Sequence, residues 1–128
     1  MSIQTLLAIG TGGFIGAILR AYISGLVNNH FSHNIPFGTL VVNLLGSFIL
    51  GSLFAFFTYT TYFSPHLKSL LSTGMMGALT TYSTFAMESF FLLNGGLYVM
   101  AFSNIALNLF GTILLAGAGF KLFESFLK

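Results

Sequence analysis

Long apolar stretches alternate with short polar segments along the chain. Residues 21–67 carry no charge, and neither do residues 89–120. A membrane-spanning helix needs roughly 20 mostly apolar residues. The pattern therefore predicts an all-α membrane protein with four transmembrane helices, in one domain that covers residues 1–128. We expect the spans at about residues 3–27, 37–59, 67–93 and 97–120.

The composition is typical of a membrane protein and excludes several classes of function. Apolar residues make up 55% of the chain and charged residues only 5%, too few charges to cover a soluble domain. The chain has no cysteine, which excludes thiol chemistry, and a net charge of only +2, which does not indicate nucleic-acid binding. The chain shows no nucleotide-binding motif, and we expect no enzyme. The start resembles a first span rather than a removable signal peptide.

Small residues recur at the spacing that lets membrane helices pack closely. The pairs are Gly12 and Gly16, Ser47 and Gly51, and Thr112 and Ala116. Such faces either pack the helices of one chain or build a tight oligomer, and the sequence leaves both interpretations open.

The few charges hardly specify an orientation in the membrane. If both termini lie on one side of the membrane, Lys68, Lys121 and Lys128 all lie on that side. Arg20, within the first span, is the remaining lysine or arginine of the chain. Lysine and arginine near cytoplasmic ends normally set the topology, so this small bias is compatible with insertion in both directions. A chain with such dual topology can pair with its own inverted copy.

The most unusual segment is GMMGALTTYSTFAME, at residues 74–88 of the third predicted span. A helix that only anchors would place Leu, Ile and Val there, whereas this one has Gly77, Thr80, Thr81, Ser83 and Thr84. Irregular backbone persists in a bilayer only where protein or a water-filled cavity covers it. We therefore expect the third helix to be interrupted mid-membrane near Gly77, and the segment to line something polar.

Two polar side chains lie within the first two predicted spans. A charge inside a span usually faces a cavity or a partner, so Arg20 is either such a group, which would attract anions to a vestibule, or a side chain that snorkels to the interface. Asn43 lies deep in the second span. Its amide either donates hydrogen bonds to an anion or joins neighbouring helices.

The third and fourth spans carry further candidates. Asn104, Asn108 and Thr112 stand four residues apart and share a helix face, which indicates a pore-lining stripe. Tyr82 and Phe85 also share a face. Packing or lipid contact would explain them, but the positive edge of an aromatic ring can also stabilise an anion.

The chain resembles the small bacterial fluoride channels known as Fluc or CrcB. The resemblance rests on GGFIGAILRAYIS in the first span, PFGTLVVNLLGSF entering the second, GMMGALTTYSTFAME in the third, and the polar positions of the fourth. It implies passive export of fluoride across the bacterial plasma (inner) membrane. It also implies an antiparallel homodimer with two pores at the subunit interface.

The resemblance also implies roles for individual residues. The backbone carbonyls of Gly77 and Thr80 match those that hold a central structural sodium ion, and Arg20 matches a basic residue of the aqueous entrance. The positions that match the fluoride pore are Asn43, Thr81, Tyr82, Ser83, Phe85, Asn104, Asn108 and Thr112. The family's usual TTFSTF reads TTYSTF here. The phenol of Tyr82 therefore adds a hydroxyl that either holds fluoride more strongly or turns outward.

Two other classes of function remain open on the sequence. A small four-span, proton-coupled exporter of cationic drugs needs a membrane-embedded acidic residue, normally in the first span. Here Glu88 in the third span would have to serve. A non-transporting assembly subunit would carry no ion flux at all.

Overall fold

The computed structural model describes residues 1–31 and 33–128, which form helices joined by short connections. The elements are α1 (Ile3–His30), α2 (Phe37–Tyr59), α3 (Pro65–Ser69), a π-helical segment (Leu70–Met76), α4 (Gly77–Leu79), α5 (Tyr82–Asn94) and α6 (Tyr98–Leu127). Among these described residues, α1, α2 and α6 are long and apolar enough to cross a membrane. The chain is therefore an all-α, multi-pass membrane protein.

The helix limits follow the hydropathy pattern at some ends and overrun it at others. α2 has the limits expected for the second span, whereas α1 continues to His30 and α6 continues through the amphipathic tail to Leu127. In that tail the carboxylate of Glu124 lies 3.3 Å from Lys121 Nζ and 3.1 Å from Lys128 Nζ. The tail that carries these ion pairs continues α6 as a helix beyond the predicted fourth span.

The third helical region is divided into two half-helices. The first half-helix comprises α3, the π-helical segment and α4 (65–79), and the second half-helix is α5. Between them Thr80 and Thr81 are extended, with φ and ψ of −84° and 155° and of −147° and 115°. The interruption thus follows Gly77, which is itself helical at φ −61° and ψ −36°. Branched threonine favours extended backbone, and Thr81 caps the second half-helix by accepting a hydrogen bond from the Thr84 amide.

The small-residue pairs seen in the sequence pack helices of the same chain. A methyl group on Gly12 would overlap the carbonyl oxygen of Leu70, and one on Gly16 would overlap a carbonyl of the same π-helical segment. On α2, a methyl group on Gly51 would overlap the carbonyl oxygen of Ala116 in α6. Packing within one chain therefore accounts for Gly12, Gly16 and Gly51, and a role of these faces in an oligomer stays a prediction.

Helix α2 occupies the centre of the fold. It packs most extensively on α6 and also contacts α1 and both half-helices. Its Val42 forms the small buried core with Met76 and Leu79 of the first half-helix. A methyl group on Gly46 would overlap the Thr80 side chain, so this glycine lets the break approach α2 closely.

The alternating helix directions place both termini at one end of the molecule. Thr5 Oγ1, near the start of α1, lies 3.4 Å from His66 Nδ1 at the start of the first half-helix. The rings of Phe56 and Phe123, near the ends of α2 and α6, are 5.2 Å apart. The three lysines lie at this same end, on the first half-helix and the α6 tail.

Candidate functional site

The break between the half-helices is bridged by the side chain of Asn43. In a continuous α-helix the amide of Thr81 would donate to the carbonyl of Gly77. It donates instead to Asn43 Oδ1 at 2.7 Å, and Asn43 Nδ2 donates to the Thr81 carbonyl at 3.1 Å. The side-chain amide therefore serves both backbone polar groups of Thr81, and the Gly77 carbonyl loses its usual helical donor.

An asparagine ladder, formed by Asn43, Asn108 and Asn104, continues from this bridge onto α6. The second N–H of Asn43 donates to Asn108 Oδ1 at 2.9 Å. Asn108 Nδ2 donates to the backbone oxygen of Asn104 at 2.9 Å and to its Oδ1 at 3.2 Å, and Asn104 Nδ2 donates to Ser89 Oγ at 3.0 Å. The backbone of Thr81 orients the first amide, because its N–H can only donate and its carbonyl can only accept.

A cavity of about 320 Å³ lies beside the break. Its wall is formed by α2, the break itself, the first turn of α5 and one face of α6. The described residues that line it are Asn43, Ser47, Leu50, Thr80, Thr81, Tyr82, Phe85, Ile105, Asn108, Leu109 and Thr112. None of these lining residues is charged, so the cavity offers amides, hydroxyls and ring edges without a fixed charge.

Most of the site residues expected from the sequence meet at this cavity, and four do not. Those on its wall are Asn43, Thr80, Thr81, Tyr82, Phe85, Asn108 and Thr112. Asn104 has no exposed surface and lies behind the ladder. Ser83 and Gly77 are exposed on the single chain, and Arg20 is half-buried on α1, away from the cavity wall. The functional roles of all these site residues, on the cavity wall and away from it, stay predictions.

Tyr82 and Phe85 form an edge-to-face pair in the first turn of α5. Their ring centroids are 5.5 Å apart and the ring planes meet at 67°. Phe85 is half-buried, whereas Tyr82 is 81% exposed and still borders the cavity. Because ring edges carry positive partial charge, this pair can present both a ring edge and a phenol hydroxyl to an anion.

The carbonyl oxygens of Gly77 and Thr80 suit the sodium ion that the sequence resemblance implies. The amide of Thr81 has left the Gly77 carbonyl for Asn43, and the extended ψ of Thr80 turns its carbonyl out of the helical direction. Carbonyls of unwound membrane helices are oxygen ligands that sodium takes. These two oxygens of one chain are fewer than the about six that hard cations commonly take.

A second polar row, which was not predicted from the sequence, lies on α2. Thr39, Asn43 and Ser47 stand four residues apart and therefore share a face. Thr39 is buried and Ser47 lines the cavity. The four-residue spacing of this row is visible in the sequence. Ser47 also stands four residues before Gly51, however, so in the sequence helix packing is enough to explain Ser47.

Glu88 lies in the middle of α5 and lines a different, smaller cavity of about 220 Å³. Its Oε1 is buried and has no hydrogen-bond partner among the described residues. Thr39 is its polar neighbour on α2. The acidic residue that a proton-coupled exporter would need is therefore separate from the cavity at the break.

Comparison with known proteins gives a consistent result along the chain. Residues 7–120 match the family described as CrcB-like protein, Camphor Resistance (CrcB). A protein of Sulfurimonas denitrificans named "Fluoride-specific ion channel FluC" is 62% identical over 128 residues, which are 100% of this chain and 99% of that protein. Proteins of the same name from Nautilia profundicola and Campylobacter jejuni are 59% and 49% identical, over 100% and 95% of this chain and 100% and 99% of theirs. The chain belongs to the CrcB family, as its sequence motifs predict.

Proposed function

We propose that this protein is a fluoride-selective ion channel that exports fluoride passively from the cytoplasm, across the bacterial inner membrane, and so protects against fluoride toxicity. Its relatives of matching length are named fluoride-specific ion channels, which favours a channel over an enzyme or a proton-coupled exporter. Within the chain, the observation that carries the proposal is the uncharged cavity at the helix break.

The groups around the cavity suit a small, strongly hydrated anion. To pass, fluoride must exchange water for O–H, N–H and ring-edge donors that bind it neither too weakly nor too tightly. Tyr82 and Phe85 supply ring edges, and no charged residue of the described lining would trap the ion. A narrow path disfavours the larger chloride. Arg20, at a vestibule, would raise the local concentration of anions.

The direction of transport follows from the membrane potential. Hydrogen fluoride enters cells as a neutral acid and dissociates in the more alkaline cytoplasm. The trapped anion then leaves down its electrical gradient, so the channel needs no coupled energy source. This is consistent with the sequence, which contains no nucleotide-binding motif.

We further propose an antiparallel homodimer with two fluoride paths at its interface. Each protomer would cross the bilayer four times as one domain, with the two half-helices forming the third crossing. The exposed Tyr82 ring and the incomplete oxygen set of Gly77 and Thr80 support this arrangement. A second copy in the inverted orientation would cover the Tyr82 ring. It would also add its own two carbonyl oxygens to those of Gly77 and Thr80. A sodium ion bound there would supply a positive charge that holds the two breaks together.

Phe85→Leu tests the role of the aromatic edge in liposomes loaded with fluoride. The variant keeps an apolar side chain but removes the ring. We therefore expect fluoride release to slow by about two- to tenfold, if the lost ring-edge contact is worth as much as an aromatic pair, about 0.5–1.5 kcal/mol. A fluoride electrode measures the release after a potassium ionophore sets the potential.

Phe126→Leu provides the matched control for this experiment. Phe126 is 76% exposed in the tail of α6, beyond the predicted fourth span, so its replacement should leave fluoride release at the wild-type rate. If Phe85→Leu also releases fluoride at that rate, the aromatic pair does not contact the anion.

A further inference from the structure

The tail of α6, residues 121–128, leaves the apolar part of the fold beside the end of α2. The rings of Tyr59 and Phe120 lie there with their centroids 6.4 Å apart. Tyrosine concentrates at the membrane interface, because one end of its ring is apolar and the other is polar. Tyr59, the last residue of α2, and Tyr62, just after it, are both exposed. The tail therefore begins at about the depth where acyl chains give way to headgroups.

One side of this tail is apolar and remains uncovered. Leu122 and Phe126 stand four residues apart and share a helix face, and they are 45% and 76% exposed. Phe123 points to another side of the helix, where its ring centroid lies 5.2 Å from that of Phe56. The tail thus packs on α2 with one apolar face and presents a second one outward. At interface depth, such an exposed apolar face lies against lipid acyl chains.

Two lysines border the exposed apolar face. Lys121 and Lys128 stand seven residues apart, which is close to two helical turns, so they lie on one side of the helix. Their Nζ atoms lie 3.3 Å and 3.1 Å from the two carboxylate oxygens of Glu124, yet 78% and 66% of the lysine side chains are exposed. An ammonium group has three N–H donors. Glu124 therefore holds two ammonium groups close together, and each keeps donors for a further acceptor.

The charge of the tail and its apolar face together indicate the kind of partner. The chain has two acidic residues, and the one outside the tail, Glu88, lies in the middle of α5. The tail thus carries two positive charges against one negative charge, and Lys68 adds a third lysine at the same end of the molecule. This excess favours an anion. A soluble anion would leave the apolar face unused, whereas an anionic phospholipid matches both features.

We propose that the tail of α6 is a binding site for an anionic phospholipid, with Lys121 and Lys128 donating hydrogen bonds to the phosphate and the acyl chains lying along Leu122 and Phe126. The long lysine stems let the ammonium groups reach the headgroup while the apolar face stays in the acyl region. The site is separate from the cavity at the helix break, and the inference does not depend on fluoride transport. In the proposed antiparallel homodimer, each leaflet would hold one such site.

A tryptophan reporter tests the site in liposomes, because the chain has no tryptophan of its own. Phe126→Trp places an indole on the exposed apolar face, where brominated acyl chains quench its fluorescence. Phosphatidylglycerol and phosphatidylcholine are brominated in turn, in liposomes that contain the same proportions of the two lipids. We expect an apparent preference for phosphatidylglycerol of at least about fivefold, the factor that one lysine typically contributes near an anionic membrane surface.

Single lysine substitutions in the reporter protein separate a site from a general attraction. Lys121→Gln and Lys128→Gln should each lower the preference several-fold, because each removes one of the two donors to the phosphate. Lys68→Gln is the matched control, since it removes the same charge from the same end of the molecule but from another helix. The preference of this control should stay close to that of the reporter protein.

Three results would overturn the inference. The first is equal quenching by the two brominated lipids. The second is an equal loss of preference in Lys128→Gln and Lys68→Gln, because the lipid would then respond to the total charge of this end. The third is a preference that inorganic phosphate removes at constant ionic strength, because the tail would then bind free phosphate. A protein that keeps the lipid preference but releases no fluoride would instead remove the proposed function alone.

Discussion

Replacing Asn43 with alanine is expected to lower the free energy of unfolding by several kcal/mol. The change removes three hydrogen bonds at once and leaves the Thr81 amide, the Thr81 carbonyl and Asn108 Oδ1 without these partners. Both residues that carry these three groups, Thr81 and Asn108, are buried, and each orphaned buried group costs about 1–3 kcal/mol. With the break released, we also expect fluoride conduction to be lost, because the cavity is built around Thr80 and Thr81.

Thermal unfolding of the purified protein in detergent measures this effect. Asn28→Ala is the matched control, since the same substitution there removes one hydrogen bond, from the Gly38 amide to Asn28 Oδ1 at 3.0 Å, at a more exposed position. That bond should contribute about 1 kcal/mol. If the two variants unfold at the same temperature, Asn43 does not clamp the break.

A methyl group at Gly12 or Gly16 is expected to destabilise the protein by at least about 1–3 kcal/mol, the usual cost of overfilling a packed interface. At both positions the new carbon would overlap a backbone carbonyl of the π-helical segment. Backbone yields less readily than the end of a flexible side chain, so α1 must move away. Since the π-helical segment leads directly into α4 and the break, the displacement should also reduce fluoride flux.

Gly10→Ala and Gly25→Ala on the same helix separate this packing effect from helix propensity. A methyl group at either position would have no neighbour within 4 Å, and alanine favours a helix over glycine by roughly 0.5–1 kcal/mol. These controls should therefore unfold at the wild-type temperature or slightly above it. A Gly12→Ala variant as stable as Gly10→Ala would mean that α1 does not rest on the π-helical segment in solution.

The fold was predictable where one local signal dominates. The limits of α2 follow from a long charge-free run that begins just after Pro36. The end of α6 does not follow from hydropathy, because the helix continues through a tail that carries Lys121, Glu124 and Lys128. The break was predicted near Gly77 and lies a few residues later, at Thr80 and Thr81. The sequence points to Gly77 because a glycine backbone is flexible. The extended residues are instead Thr80 and Thr81, where Asn43 forms hydrogen bonds with the backbone of Thr81.

The site was predictable in its residue types but not in its hydrogen bonds. Polar residues at helical spacing identify the face of α6 that carries Asn108 and Thr112, and both line the cavity. Whether an amide N–H is free depends on what stands opposite it in three dimensions, and Asn43 meets a backbone segment 38 residues further along the chain. Spacing alone also cannot distinguish whether Ser47 packs two helices or lines the cavity, because both need a small polar side chain.

A reversal potential under bi-ionic conditions, with fluoride on one side of a planar bilayer and an equal concentration of chloride on the other, tests fluoride selectivity most directly. If the channel excludes chloride, the reversal potential should be far from zero, with the sign set by the fluoride gradient. For a monovalent ion it should shift by about 59 mV for each factor of ten in the permeability ratio. Current should flow without a proton gradient. A reversal potential near zero, or no current until a proton gradient is applied, would contradict a passive fluoride-selective pathway.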